Sequence, residues 1–97
     1  MLSYQSTVQQ AFREVADALV ASRKLADLRA QQEQLVGSLR SAVELADLSY
    51  KGGVASYLEY LDSERQLLDA QLLLVQIRRQ EMTNFITLYI ALGGGWQ

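Results

Sequence analysis

Apolar residues recur along the second half of the chain in alternating steps of three and four: Leu58, Leu61, Leu68, Leu72, Val75, Met82, Ile86 and Tyr89, interrupted by Arg65 and Arg79. That spacing keeps one helix face apolar and is the pattern of coiled-coil packing. Upstream, Ala18, Ala21, Leu25, Leu28, Gln32, Leu35, Leu39, Ala42 and Ala46 keep the same step. Between the two runs lies a glycine-centred break, Tyr50-Lys51-Gly52-Gly53-Val54-Ala55-Ser56. The pattern predicts an all-α fold, a long antiparallel helical hairpin of coiled-coil type that associates into a bundle or barrel. One hairpin occupies 1–97, with a helix over about 5–49, a tip at 50–56, a second helix over about 57–91 and a glycine-rich tail at 92–97. At 1.5 Å per residue the helices would measure roughly 65 and 50 Å.

The break carries its own punctuation. Gly52 or Gly53 can take the left-handed conformation that ends a helix. Ser56-Tyr57-Leu58-Glu59 has the S-x-x-E form, in which the serine caps one orphan amide and the glutamate reaches back to another. Gly93 stops the second helix.

Folding the chain back at Gly53 brings residues whose numbers sum to about 107 face to face. Small then meets large: Ala21 against Ile86, Ala18 against Tyr89, Ala46 against Leu61. In that register Asp27 would pair with Arg79 and Glu44 with Arg65. Gln31, Gln32 and Gln34 read as a solvated patch, a buried glutamine that sets register being the alternative. Further apolar residues lie beside this seam: Val8, Phe12, Val15, Leu19, Val36 and Val43 on the first helix, and Leu67, Leu73, Leu74, Ile77, Phe85 and Leu88 on the second. Two helices cannot bury two seams each against one another. Each wet leucine or phenylalanine forgoes roughly 1.5–3 kcal/mol, so the chain needs neighbours.

Composition narrows the function classes. With no cysteine and no histidine among 97 residues, disulfide frameworks, the usual zinc sites and histidine acid–base catalysis are excluded. Nine basic and eleven acidic residues give a net charge of −2 with no basic stripe, which argues against nucleic acid as a partner. Met1-Leu2-Ser3-Tyr4 does not read as a signal peptide. The uncharged stretch from Met82 is too short to span a bilayer, so no direct membrane insertion is expected of this chain.

Candidate chemistry is sparse. Glu59 and Asp62 share a helix face as a carboxylate pair, but no nucleophile–base pair accompanies them, and the bland reading is a cap and a solvated acid. Gly93-Gly94-Gly95 follows a helix instead of preceding one, the wrong polarity for a phosphate cradle. Tyr50 reads as a ring covering the end of the seam. No enzyme activity and no cofactor or metal is expected.

The stretch Tyr50-Lys51-Gly52-Gly53-Val54-Ala55-Ser56-Tyr57-Leu58-Glu59-Tyr60-Leu61-Asp62-Ser63-Glu64-Arg65 resembles the periplasmic tip of the outer-membrane efflux proteins, the TolC-like channels. Ala11-Phe12-Arg13-Glu14-Val15-Ala16-Asp17-Ala18-Leu19 is similar to the start of that family's long helix. Leu88-Tyr89-Ile90-Ala91-Leu92-Gly93-Gly94-Gly95-Trp96 resembles the end of its conserved region, especially in the lipoprotein branch. The resemblance covers nearly the whole chain, and the chain covers only the last helical hairpin of such a protein.

The resemblance implies a trimeric conduit, with a β-barrel in the outer membrane above a periplasmic barrel of α-helices, and a tip that docks a periplasmic adaptor. It implies that Tyr50, Gly52, Gly53, Val54 and Ala55 form the partner-binding tip, and that Leu58, Glu59 and Asp62 line a constriction whose acids favour cations. Some members carry arginine where this chain has Ala55, so that lock is missing here. The expected function is that of a hairpin fragment of a passive efflux channel subunit of the outer membrane and periplasm. The alternative is a stand-alone hairpin that self-associates into a four-helix bundle.

Overall fold

The computed structural model describes the backbone of residues 2–94 and the side chains of residues 8–93. Helix α1 spans Leu2–Lys51 and helix α2 spans Tyr57–Tyr89, followed by a π-helical turn at Ile90–Gly94. Together they form an extended antiparallel two-helix hairpin. With no proline in the chain, nothing removes a backbone donor inside either helix. Among the described residues, Gly53 alone has positive φ, at 79°. The first helix thus ends two residues past the expected Ser49, and α2 gives way to the π-helical turn at Ile90. Of the glycine-rich tail, Gly95, Trp96 and Gln97 lie outside the described residues, as does Met1.

Contacts gather into two compact units. The unit Leu28–Ile77 contains the tip and a core of Val36, Ala70 and Leu74, against which Leu39 and Leu67 pack. Buried Gln32 donates from Nε2 to the Ala70 carbonyl at 2.9 Å in this unit. The other unit joins Met1–Asp27 and Arg78–Gln97. There Asn84 donates from Nδ2 to the carbonyl of buried Ala18 at 2.9 Å.

The seam is not the one that apolar strength selects. On α2 the protected stripe is Tyr60, Ser63, Leu67, Ala70, Leu74, Ile77, Glu81, Asn84 and Leu88, with Gln71 beside it. The expected stripe lies exposed throughout, from Leu61 at 40% to Leu58 at 76%. The two stripes are two residues out of phase, about 200° around the helix. On α1 the expectation holds at six of nine positions: Ala18, Ala21, Leu25, Gln32, Leu39 and Ala46 are protected, while Leu28, Leu35 and Ala42 are exposed. The two amide bridges give pairing sums of 102, not 107.

Packing chemistry explains the difference. Ala18 and Ala70 leave their carbonyls open to a partner's amide, and a buried amide must find such an acceptor. The expected ion pairs fall with the register. Arg65 pairs with Asp62 on its own helix at 2.8 Å and not with Glu44, and no Asp27–Arg79 pair forms.

Candidate functional site

The tip is built from the end of α1 upward. Its last carbonyls need donors, and the chain supplies them by reversing at Gly53. Val54 N–H donates to the Ser49 carbonyl at 2.9 Å, and Gly53 N–H to that of Tyr50 at 3.0 Å. This six-to-one and five-to-two pair is a Schellman motif with Gly53 at its left-handed position. Ala55 N–H also reaches the Ser49 carbonyl, at 3.1 Å. A Cβ added at Gly53 would touch nothing, so its requirement is conformational; at Gly52 a Cβ would lie 3.3 Å from the Leu48 carbonyl oxygen.

The second helix starts as its S-x-x-E sequence proposes. Ser56 Oγ accepts from Glu59 N–H at 3.1 Å, forming the serine half of the capping box. Glu59 also lies in the first turn, where the helix dipole favours an acid.

Three tyrosines close the mouth of the hairpin. Tyr50 and Tyr57 have ring centroids 5.4 Å apart, and Tyr60 stands 6.2 Å from each. Tyr60 donates its hydroxyl to Glu64 at 2.6 Å. That bond to a carboxylate, with some burial, pushes the phenol up to about 12. Lys51 pairs with Asp47 at 3.0 Å beneath the turn.

The outer edge of the tip is apolar and bare: Val54 is 87% exposed. Leu58, Glu59 and Asp62 all face solvent one or two turns into α2. Asp62 accepts from Arg65 at 2.8 Å and from Gln66 at 2.8 Å. The Arg65 guanidinium, then the Gln66 amide, hold its carboxyl below the usual range. A carboxylate so held stays ionised and is a poor proton donor. Among the described residues, no group of His, Cys, Asp and Glu is placed to hold a metal. No described helix is long and apolar enough to cross a membrane.

Sequence reasoning missed Tyr57 and Tyr60 as partners of Tyr50, although their spacing of three puts both on one side of α2. It also missed Asn84, which follows Ile77 by seven in the weaker of α2's two repeats.

The sequence profile of the outer membrane efflux proteins matches residues 2–94, nearly the whole hairpin. The chain belongs to that family. It is 40% identical over 97 residues to the cation efflux system protein CusC of Escherichia coli, covering all of this chain and 21% of that protein. It is 39% identical over 93 residues to the toluene efflux pump outer membrane protein TtgC of Pseudomonas putida, 96% of this chain and 19% of that one. With the solvent efflux pump outer membrane protein SrpC of Pseudomonas putida it shares 38% over 94 residues, 97% of this chain and 20% of the relative. The chain therefore spans about a fifth of the length of the curated relatives it matches. The matched stretch is the helical region toward their C-terminus.

Proposed function

We propose that this chain is the C-terminal periplasmic helical hairpin of an outer-membrane efflux channel subunit, a passive export conduit in a tripartite pump. The family match over 2–94 carries the reading. The exposed apolar stripe of α2 supports it, because a wall of helices needs a second contact face on its members. In the parent protein the subunit forms a trimer, and the tip residues Tyr50, Gly52, Gly53, Val54 and Ala55 dock a periplasmic adaptor. Leu58, Glu59 and Asp62 line the constriction, with Arg65 setting how much of the Asp62 charge a passing cation meets. The C-terminal motif from Leu88 to Trp96 favours the lipoprotein branch of the family.

This hairpin is shared among proteins named for different cargoes. Relatives named for cations, toluene and solvents match it at 40, 39 and 38% identity, so its residues serve the shared conduit. Gly53→Val tests the tip assignment. Binding to the adaptor weakens while helix content holds; unchanged binding at unchanged helix content removes the tip from the docking site. A second reading, a hairpin that dimerises into a four-helix bundle, draws on the same exposed stripe. A discrete dimer by solution mass, with no larger assembly in the parent protein, would favour it.

A further inference from the structure

We propose that Gln32 and Asn84 decide which face of α2 becomes the seam, and thereby keep its more apolar face free for a neighbour. α2 has two candidate faces, about 200° apart. The outward one holds the larger apolar side chains, among them Leu68, Leu72 and Ile86, each more than half exposed. The inward one holds Ser63, Ala70, Glu81 and Asn84 beside Leu67, Leu74, Ile77 and Leu88. Burial of apolar area alone would turn the outward face in. The chain does the opposite.

Two matched bridges account for that choice. Gln32 is 8% exposed, and its amide reaches the Ala70 carbonyl at 2.9 Å. Asn84 reaches the Ala18 carbonyl at the same distance. The acceptors are alanines, each 6% exposed, so no long side chain shields their carbonyls. Ala18 precedes Gln32 by two heptads and Ala70 precedes Asn84 by two heptads, with donor and acceptor helices exchanged. Each unit thus carries one such bridge, and each bridge joins positions whose numbers sum to 102.

Rotating α2 by 200° would break both. Gln32 would then face leucines that cover the backbone, and its amide would be buried without a partner. The same rotation would carry Arg65 and Arg79 into the seam. Leucine contacts tolerate many rotations and registers; a buried amide that needs one carbonyl does not. The amides are therefore positioning residues, and they act through the orientation of α2.

The chain has no cysteine, so disulfide coupling reads that orientation cleanly. Val36→Cys with Ala70→Cys reports the observed seam, since both residues belong to one core cluster. Val36→Cys with Leu72→Cys reports the rotated one. In the otherwise unaltered chain the first pair couples and the second does not. Adding Gln32→Leu and Asn84→Leu, with helix content checked by circular dichroism, is expected to shift the ratio toward the second pair by roughly tenfold or more. An unchanged ratio at unchanged helix content overturns the proposal. Loss of helix content in the leucine variant also overturns it, because the amides would then hold the fold and not select a face.

Discussion

The backs of the two helices differ in how much apolar surface they show. Facing away from the seam, α1 shows Arg23, Asp27, Gln34, Ser41 and Glu44, exposed and polar, with Val20, Leu45 and Leu48 as exposed apolar residues among them. At the equivalent positions α2 shows Leu61, Leu68, Leu72, Val75 and Ile86, all exposed and apolar. Water satisfies the polar majority of the outer face of α1 between Arg23 and Glu44. One contact leaves α2 half finished. The hairpin is thus a stable pair on one side and an unfilled interface on the other, and the requirement for a neighbour resides chiefly in α2.

Substitutions can break that contrast, starting inside the seam. Ile77 is 3% exposed and Val75, two positions earlier, is 60% exposed. Ile77→Ala is expected to cost about 4 kcal/mol in urea unfolding, while Val75→Ala stays within about 0.5 kcal/mol in the unassembled chain. Similar costs for the two would mean that the faces are misassigned. On the outer face, Leu68→Glu with Leu72→Glu should weaken association by about 3 kcal/mol, near a hundredfold. Gln34→Glu with Ser41→Glu on α1 should leave it unchanged, as sedimentation equilibrium would show.

The turn ends α1 and reverses the chain into α2. Gly53→Ala forces a Cβ onto a residue at φ 79° and should cost about 1–2 kcal/mol. Gly52→Ala should cost less, since only the Leu48 carbonyl oxygen, 3.3 Å away, must give. A reversed order in chemical denaturation would contradict the Schellman geometry.

The smallest effect is at the mouth of the seam. Tyr60 is raised from 10.0 to about 12, chiefly by its hydrogen bond to Glu64. A raised phenol means the fold prefers the protonated form. Its contribution is therefore complete below pH 10 and is lost as pH climbs from 10 through about 12. Ultraviolet titration should show a late phenolate that Glu64→Gln removes; identical curves would take the bond out of the account.

Much of this was legible in sequence, for reasons that differ by element. The hairpin, the break at Gly52–Gly53 and the Ser56 cap were readable because local chemistry alone decides them. The seam was not. The strongest apolar repeat of α2, from Leu58 to Tyr89, looked like the seam because periodicity reports that a face is apolar, not which partner covers it. The weaker repeat wins through contacts invisible to hydropathy: an alanine that exposes a carbonyl, and an amide on the other helix that reaches it. The register of the acids went wrong with it, and Arg65 found Asp62 three residues away instead of Glu44. At the tip, Tyr50, Gly53 and Val54 were singled out from sequence, whereas the Tyr57 and Tyr60 rings appear only once α2 is oriented.

The claim that α2 is two-faced meets its most direct test in thiol labelling of the assembled protein at Ser41→Cys and Leu72→Cys. Both positions are exposed on the backs of their helices in the single chain. If a neighbour covers α2 alone, Ser41→Cys reacts freely and Leu72→Cys is protected until the assembly is dissociated. Equal labelling of the two in the intact assembly would contradict the account.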